Sequence, residues 1–139
     1  MNEQRIRVSL LCLRVSVFVV MFIWTIDKWA RPTHAASIYE HFYGLGGFGP
    51  LLMGLIAGAE LLILLAFLFG VAPRLSYGLV LLLHAVSTLA SYRQYLNPFE
   101  GNNLLFFAAW PMLAACVTLY LLRDLDTIGR ISHKRAAAT

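Results

Sequence analysis

Charge is what this chain has least of. Only 13% of its 139 residues are Asp, Glu, Lys or Arg, against 60% hydrophobic residues, and the mean hydropathy is +0.72. A water-soluble chain of this length needs far more charge to cover its surface, so the composition points to one membrane domain. Cysteine is nearly missing as well. Cys12 and Cys116 lie far apart within apolar runs, and no C-x-x-C occurs. Neither a disulfide framework nor a thiol-exchange centre is indicated, and both residues read as packing groups. No flavin, haem or iron–sulfur signature is present, so any redox centre must come from a partner or a diffusible carrier. No metal site is predicted: His34 and His41 are seven apart and share a helical face, but no Cys or carboxylate completes a usual ligand set. Internal repeats and low-complexity segments are absent. The isoelectric point near 9.4 does not signal nucleic acid, because the basic residues sit at the ends of apolar runs and form no patch.

What is there is four apolar runs, each long enough to cross a bilayer as a helix, which takes ~20 residues. They cover about Val8–Ile26, Pro50–Phe69, Leu75–Arg93 and Leu104–Leu122. None alternates as a barrel strand does. The first run is too long for the core of a signal peptide and is interrupted by Arg14. The predicted fold is all-α: a single integral-membrane domain, an antiparallel four-helix bundle. External loops fall at 27–49 and 94–103, and a tail at 123–139. Eight of the eleven basic residues fall on one side: Arg5, Arg7, Arg14, Arg74, Arg123, Arg130, Lys134 and Arg135. The positive-inside rule puts both termini in the cytoplasm. On the opposite side Trp24, Trp29, Tyr39, Tyr43, Tyr92, Tyr95, Phe99 and Trp110 read as an interfacial aromatic belt.

The first external loop contains its own helix signals. Pro32 and Thr33 can start a helix and Gly44 can end it. Ile38, Phe42 and Leu45 then share a face, which predicts an amphipathic helix on the membrane or capping the bundle. The "GVAPR" connection is short, so the second and third spans should be neighbours. The end of the tail, "KRAAAT", has the composition of a disordered terminus.

The chemistry lies in the few polar residues inside the runs. A midspan acid costs roughly 2.5–3.5 kcal/mol on insertion scales, so Glu60 needs partners. At ~1.5 Å per residue, Arg14, Glu60 and His84 stand roughly 10, 13 and 14 Å above the inner ends of their runs. The expectation is a cluster in which Glu60 pairs with Arg14 and hydrogen-bonds to His84, with Ser87 and Thr88 one turn away. The bland alternatives are polar glue that fixes helix register, and an Arg14 that snorkels to the headgroups. Gly54 and Gly58 form a G-x-x-x-G that predicts a close helix contact, with the first span or with another protomer. Pro111 should kink the fourth span and open a pocket near Trp110.

Two stretches carry a family resemblance: "LRVSVFVVMFIWTIDKWARP", and "AGAELLILLAFLFGVAPRLS" with its Glu and its Gly before a short basic turn. Together they resemble the DoxX-like family of small bacterial membrane proteins, and "LLLHAVSTLASYRQYLNPFEGNNLLFFAA" is similar to a subgroup of it. The resemblance spans about residues 8–125. It departs from the family's first span at Trp24-Thr25-Ile26, where a Gly is common. It implies a four-helix membrane bundle and, from family members tied to thiosulfate:quinone oxidoreduction, a redox-associated subunit. The first expectation is therefore a quinone or similar lipophilic carrier contacted by His84 and Glu60, which would relay protons. Arg14 would hold Glu60 ionised, and Ser87, Thr88 and Trp110 would line the site. Beside the lipid bilayer, a membrane-complex partner or a second copy of the chain is the expected company. The alternatives are a non-catalytic assembly or anchoring subunit, using Gly54 and Gly58 or the outer loops, and a small-solute transporter. Four spans without a repeat disfavour the transporter unless the chain oligomerises.

Overall fold

The computed structural model describes residues 2–131, so the "KRAAAT" end of the tail lies outside the described residues. The secondary structure of those residues is all helical, with no strand among them. The helices are α1 (Glu3–Ala30), α2 (Pro32–Tyr43), α3 (Pro50–Leu68), α4 (Pro73–Ala90), α5 (Tyr92–Leu96) and α6 (Ala109–Leu121). A 3-10 segment, Asn103–Ala108, leads into α6. α1 packs on α3, α3 on α4, α4 on α6, and α6 on α1. Later residues of α1 meet earlier residues of α3, as Trp29 does Gly54 and Thr25 does Glu60.

Three stretches are long and apolar enough to cross a membrane: α1, α3, and the 3-10 segment with α6. They mark the chain as a membrane protein. The expected third span, α4, has the length but a more polar composition, because one face of it carries Ser76, Tyr77, His84 and Thr88 into the interior. Among the described residues apolar side chains face outward and polar ones inward, as lipid requires. Leu51, Leu55, Leu62 and Leu89 are each more than 60% exposed, while Arg14, Thr25, His84, Thr88 and Asp126 are buried. Hydrocarbon offers polar groups no partner, so they collect where other helices supply one.

Element boundaries shift from the hydropathy reading, chiefly in the first helix. Asn2 caps α1 by accepting from the Gln4 amide, and the helix continues to Ala30, well beyond 8–26 at both ends. α4, the expected third span, stops at Ala90 instead of Arg93, and a turn at Ser91 leads into α5. α2 forms where expected. Pro32 supplies its first residue, and Gly44 ends it in the left-handed conformation, φ +67°, which a side chain would resist. α2 packs against α1 and α3, with Ile38 and Phe42 turned toward a cavity; Leu45 borders the same cavity but lies past the end of the helix and so does not share its face. Pro111 is the third residue of α6, so it marks the change from 3-10 to α-helix instead of a kink in mid-span. After α6 the chain turns back, and the Ile131 amide donates to Phe69 O beside the α3–α4 turn at 2.8 Å.

Candidate functional site

The expected Arg14–Glu60–His84 cluster does not form; each of the three finds other partners. α1 is 28 residues and α3 only 19, lengths of roughly 42 and 28 Å. The start of α1 therefore overhangs α3. Glu60 lies against Thr25, and Arg14 is eleven residues, roughly 16 Å, further down α1. Depths reckoned from the edges of apolar runs missed this overhang.

At that lower end Arg14 is fully buried. Its Nη1 lies 3.3 Å from Asp126 Oδ2 and donates to Tyr77 Oη at 3.1 Å, while its Nη2 donates to Ile128 O. Tyr77 completes the triangle by donating to Asp126 Oδ2 at 2.7 Å. Arg14 therefore does not snorkel; it ties the segment after α6 to α1 and α4. Asp126 escaped the sequence reading because it lies past the last apolar run, where no periodicity points inward.

Glu60 is held near the other end of α1. Lys28 Nζ lies 2.8 Å from its Oε2, Thr25 Oγ1 donates to the same oxygen at 3.2 Å, and Tyr39 Oη donates to Oε1 at 3.4 Å. Burial first, and then the Glu60 charge beside it, pushes the Tyr39 phenol well above its ordinary value near 10. Lys28 could have been found. Arg14, Val17, Met21, Thr25 and Lys28 recur at three- and four-residue spacing and so share the inner face of α1. Just outside this group, Asp27 accepts from Arg31 at 2.6 Å and lies 2.9 Å from His34 Nδ1. His41 packs edge-on to Phe42, so the two loop histidines do not converge.

His84 is buried between α1 and α6. Its Nε2 lies 3.0 Å from Ala109 O and 3.3 Å from Thr88 Oγ1, and its ring stacks on Trp24 with centroids 6.2 Å apart. Its Nδ1 is buried with no partner among the described residues. Two cavities adjoin at this ring. One, of about 560 Å³, runs between α1, α4 and α6 past Val17, Thr88, Met112 and Pro111. The other, of about 630 Å³, opens under α2 and carries Lys28, Tyr39 and Glu60 in its wall. Trp24, His84, Ser87, Ser91 and Phe106 border both. Glu60 and His84 thus face one cavity without touching each other.

Two further expectations fare differently. Trp110 borders neither cavity; its ring packs against Tyr95 at 5.4 Å. Of the glycine pair, Gly54 makes the close contact, its carbonyl accepting from Trp29 Nε1 at 3.2 Å. Gly58 faces open space, and the buried small residue of α3 is Ala57.

The arrangement can hold an elongated apolar molecule with a polar ring at His84. Chambers of this size suit a small lipophilic ligand, and apolar walls with a few convergent polar groups are the usual build of such sites. Among the described residues no three His, Cys, Asp or Glu side chains come together as a metal site would need. No protein family, curated protein or solved structure matches this chain.

Proposed function

We propose that this chain is a DoxX-like, redox-associated protein of the bacterial cytoplasmic membrane, and that it binds a quinone or similar lipophilic carrier where its two cavities meet. In this reading α1, α3, α4 and α6 form an antiparallel four-helix bundle with both termini in the cytoplasm. The observation that carries it is the pair of adjoining cavities joined at a buried histidine. A carrier of this class needs an apolar path for its tail, a flat wall for its ring and a hydrogen-bonding group at its oxygen. The cavity between α1, α4 and α6 supplies the path, the Trp24 indole the wall and His84 the polar group. Like Asp27, Glu60 stands in the wall of the second cavity. Lys28, in place of Arg14, is its ion-pair partner there. When bound, the carrier supplies the two-electron chemistry, and its electrons come from a partner or a diffusible donor.

The test is extraction. Protein purified in mild detergent from its native membrane should yield close to one quinone-type molecule per chain in organic solvent. Folded protein without such a molecule, and unable to take one up in lipid, would overturn the reading. Orientation is read separately with an impermeant thiol reagent in a Cys12→Ser background. Ser37→Cys and Asn102→Cys, both at exposed positions, should label from outside. Ala35 is buried and is not a usable reporter. Labelling only from the cytoplasmic side would invert the topology.

A further inference from the structure

We infer that the His84 site selects a ligand bearing a hydroxyl donor, and hence the reduced, phenolic form of a lipophilic carrier over its oxidised form. The inference rests on the carrier reading of the two cavities and deepens it. It starts from the tautomer. A carbonyl oxygen only accepts, so at 3.0 Å from Ala109 O the His84 Nε2 must carry hydrogen. Thr88 agrees: its hydroxyl donates to His84 O at 2.8 Å, which leaves its oxygen as a second acceptor for the same Nε2–H at 3.3 Å.

A neutral ring with hydrogen on Nε2 presents a bare lone pair at Nδ1. That atom is buried and has no donor among the described residues. Neither the cavity's ammonium group nor its acids answer it. Lys28 is taken by Glu60 at 2.8 Å, Asp27 by Arg31 and His34, and both carboxylates are acceptors. Tyr39 turns its hydroxyl to Glu60. The missing partner is a donor, and a buried acceptor left without one is a standing cost. A phenolic hydroxyl on a ring lying along Trp24 supplies it once the side chains that cover Nδ1 give way, since the atom itself has almost no open surface. The carbonyl of an oxidised ring brings a second acceptor to the first and leaves Nδ1 unpaired.

Equilibrium dialysis of the full chain in lipid nanodiscs, with empty nanodiscs as the blank, tests this under anaerobic conditions. The probes are a decyl-substituted benzoquinol, its dimethyl ether and the corresponding quinone. The quinol should bind about 10-fold tighter than the ether, or about 1.4 kcal/mol, with the quinone near the ether. His84→Leu should bring the ratio close to one while the ether still binds. His84→Gln, whose amide oxygen accepts, should keep part of the preference. Should His84→Leu fail to fold, the ligand ratio on the unaltered protein decides alone. Equal binding of all three probes overturns the inference and leaves the carrier reading standing, as does a preference that survives in His84→Leu. No binding above the blank overturns both.

Discussion

Two ion pairs tie α1 to distant parts of the chain, Arg14–Asp126 and Lys28–Glu60, and they sit far apart along the helix and are built differently. Arg14 and Asp126 are 1% and 0% exposed, with Tyr77 closing the triangle, and Arg14 borders neither cavity. Lys28 and Glu60 are 11% and 18% exposed and stand in the wall of the larger one. The first pair fastens the segment after α6 onto the helices. The second is left partly open beside space that a ligand can fill. Midspan charge is expensive wherever it lies, so burial alone does not separate scaffold from site. What separates them here is whether the charge is closed off by the chain's own groups or turned toward a cavity. His84 belongs with the second kind because its ring borders both cavities, whereas Arg14 Nε and Asp126 Oδ1, which like His84 Nδ1 have no partner among the described residues, border neither.

The largest effect should come from breaking the closed pair. Arg14→Met strands Asp126, and Asp126→Asn strands Arg14; each should cost about 3–5 kcal/mol. The two together should cost clearly less than their sum, because neither charge is then left buried alone. Arg14→Met combined with Glu60→Gln should be additive, since those residues do not meet. Unfolding free energies in detergent for the three singles and two doubles check this. Additivity between 14 and 126 would remove the basis for calling that end a lock.

Much of this was legible in the sequence, and what was not has a common cause. The apolar runs of α1, α3 and the last helix are legible because hydropathy accumulates over many residues and tolerates a slip at either end. α2 is legible because Pro32 and Gly44 act locally. The inward direction of Arg14, Glu60 and His84 is legible too, since lipid leaves ionisable groups no other choice. Their pairing is not, because it depends on how far one helix overhangs its neighbour, and that follows from boundaries hydropathy places poorly. Asn2 begins α1 outside the apolar run, and nothing in the run itself reports the added turns. Asp126 is harder still: it acts from a segment of turns, where residue spacing says nothing about direction.

Next in size should be a change at the turn facing the closed pair. Gly70 has φ +63°, and a methyl group there would run into the Arg130 side chain. Arg130 Nη1 donates to Arg123 O at 2.8 Å and to Asp126 O at 2.9 Å, so displacing it loosens the segment that holds Asp126. Gly70→Ala should cost about 1–3 kcal/mol. Gly44→Ala, with a similar φ of +67° but open space around it, should cost only the backbone part, about 1 kcal/mol. Equal losses at the two glycines would show that the contact with Arg130 contributes nothing.

The open pair should respond more weakly in stability and more strongly in binding. Lys28→Met leaves Glu60 to Thr25 and Tyr39 and should cost about 1–2 kcal/mol, below the Arg14 value, because those two hydroxyls still hydrogen-bond the carboxylate and it keeps some exposure. Carrier recovered by extraction should nevertheless fall, since Lys28 and Glu60 line the same chamber. If Lys28→Met is as damaging to the fold as Arg14→Met while bound carrier is unchanged, the contrast between the two ends fails.

The smallest expected effect is also the one with a pH signature. Tyr39→Phe removes one long hydrogen bond, 3.4 Å to Glu60, and should cost about 0.5–1 kcal/mol at neutral pH. The phenol is raised in the folded protein, by burial first and by the Glu60 charge second, above an ordinary value near 10. A group whose proton is held more tightly when folded stabilises fully below its unfolded value, and that stabilisation drains away as pH rises past it. The difference in stability between the natural chain and Tyr39→Phe should therefore be flat up to about pH 10 and shrink above it, at no more than about 1.4 kcal/mol per pH unit. Glu60→Gln should lower the phenol toward its ordinary value without restoring it, because the burial remains. Ultraviolet difference titration of Tyr39→Phe against the unaltered chain isolates this one phenol. If it titrates near 10 in both the natural chain and Glu60→Gln, then Tyr39 is open to water, the carboxylate beside it is unscreened by α2, and the outer pair is a surface pair instead of the wall of a site.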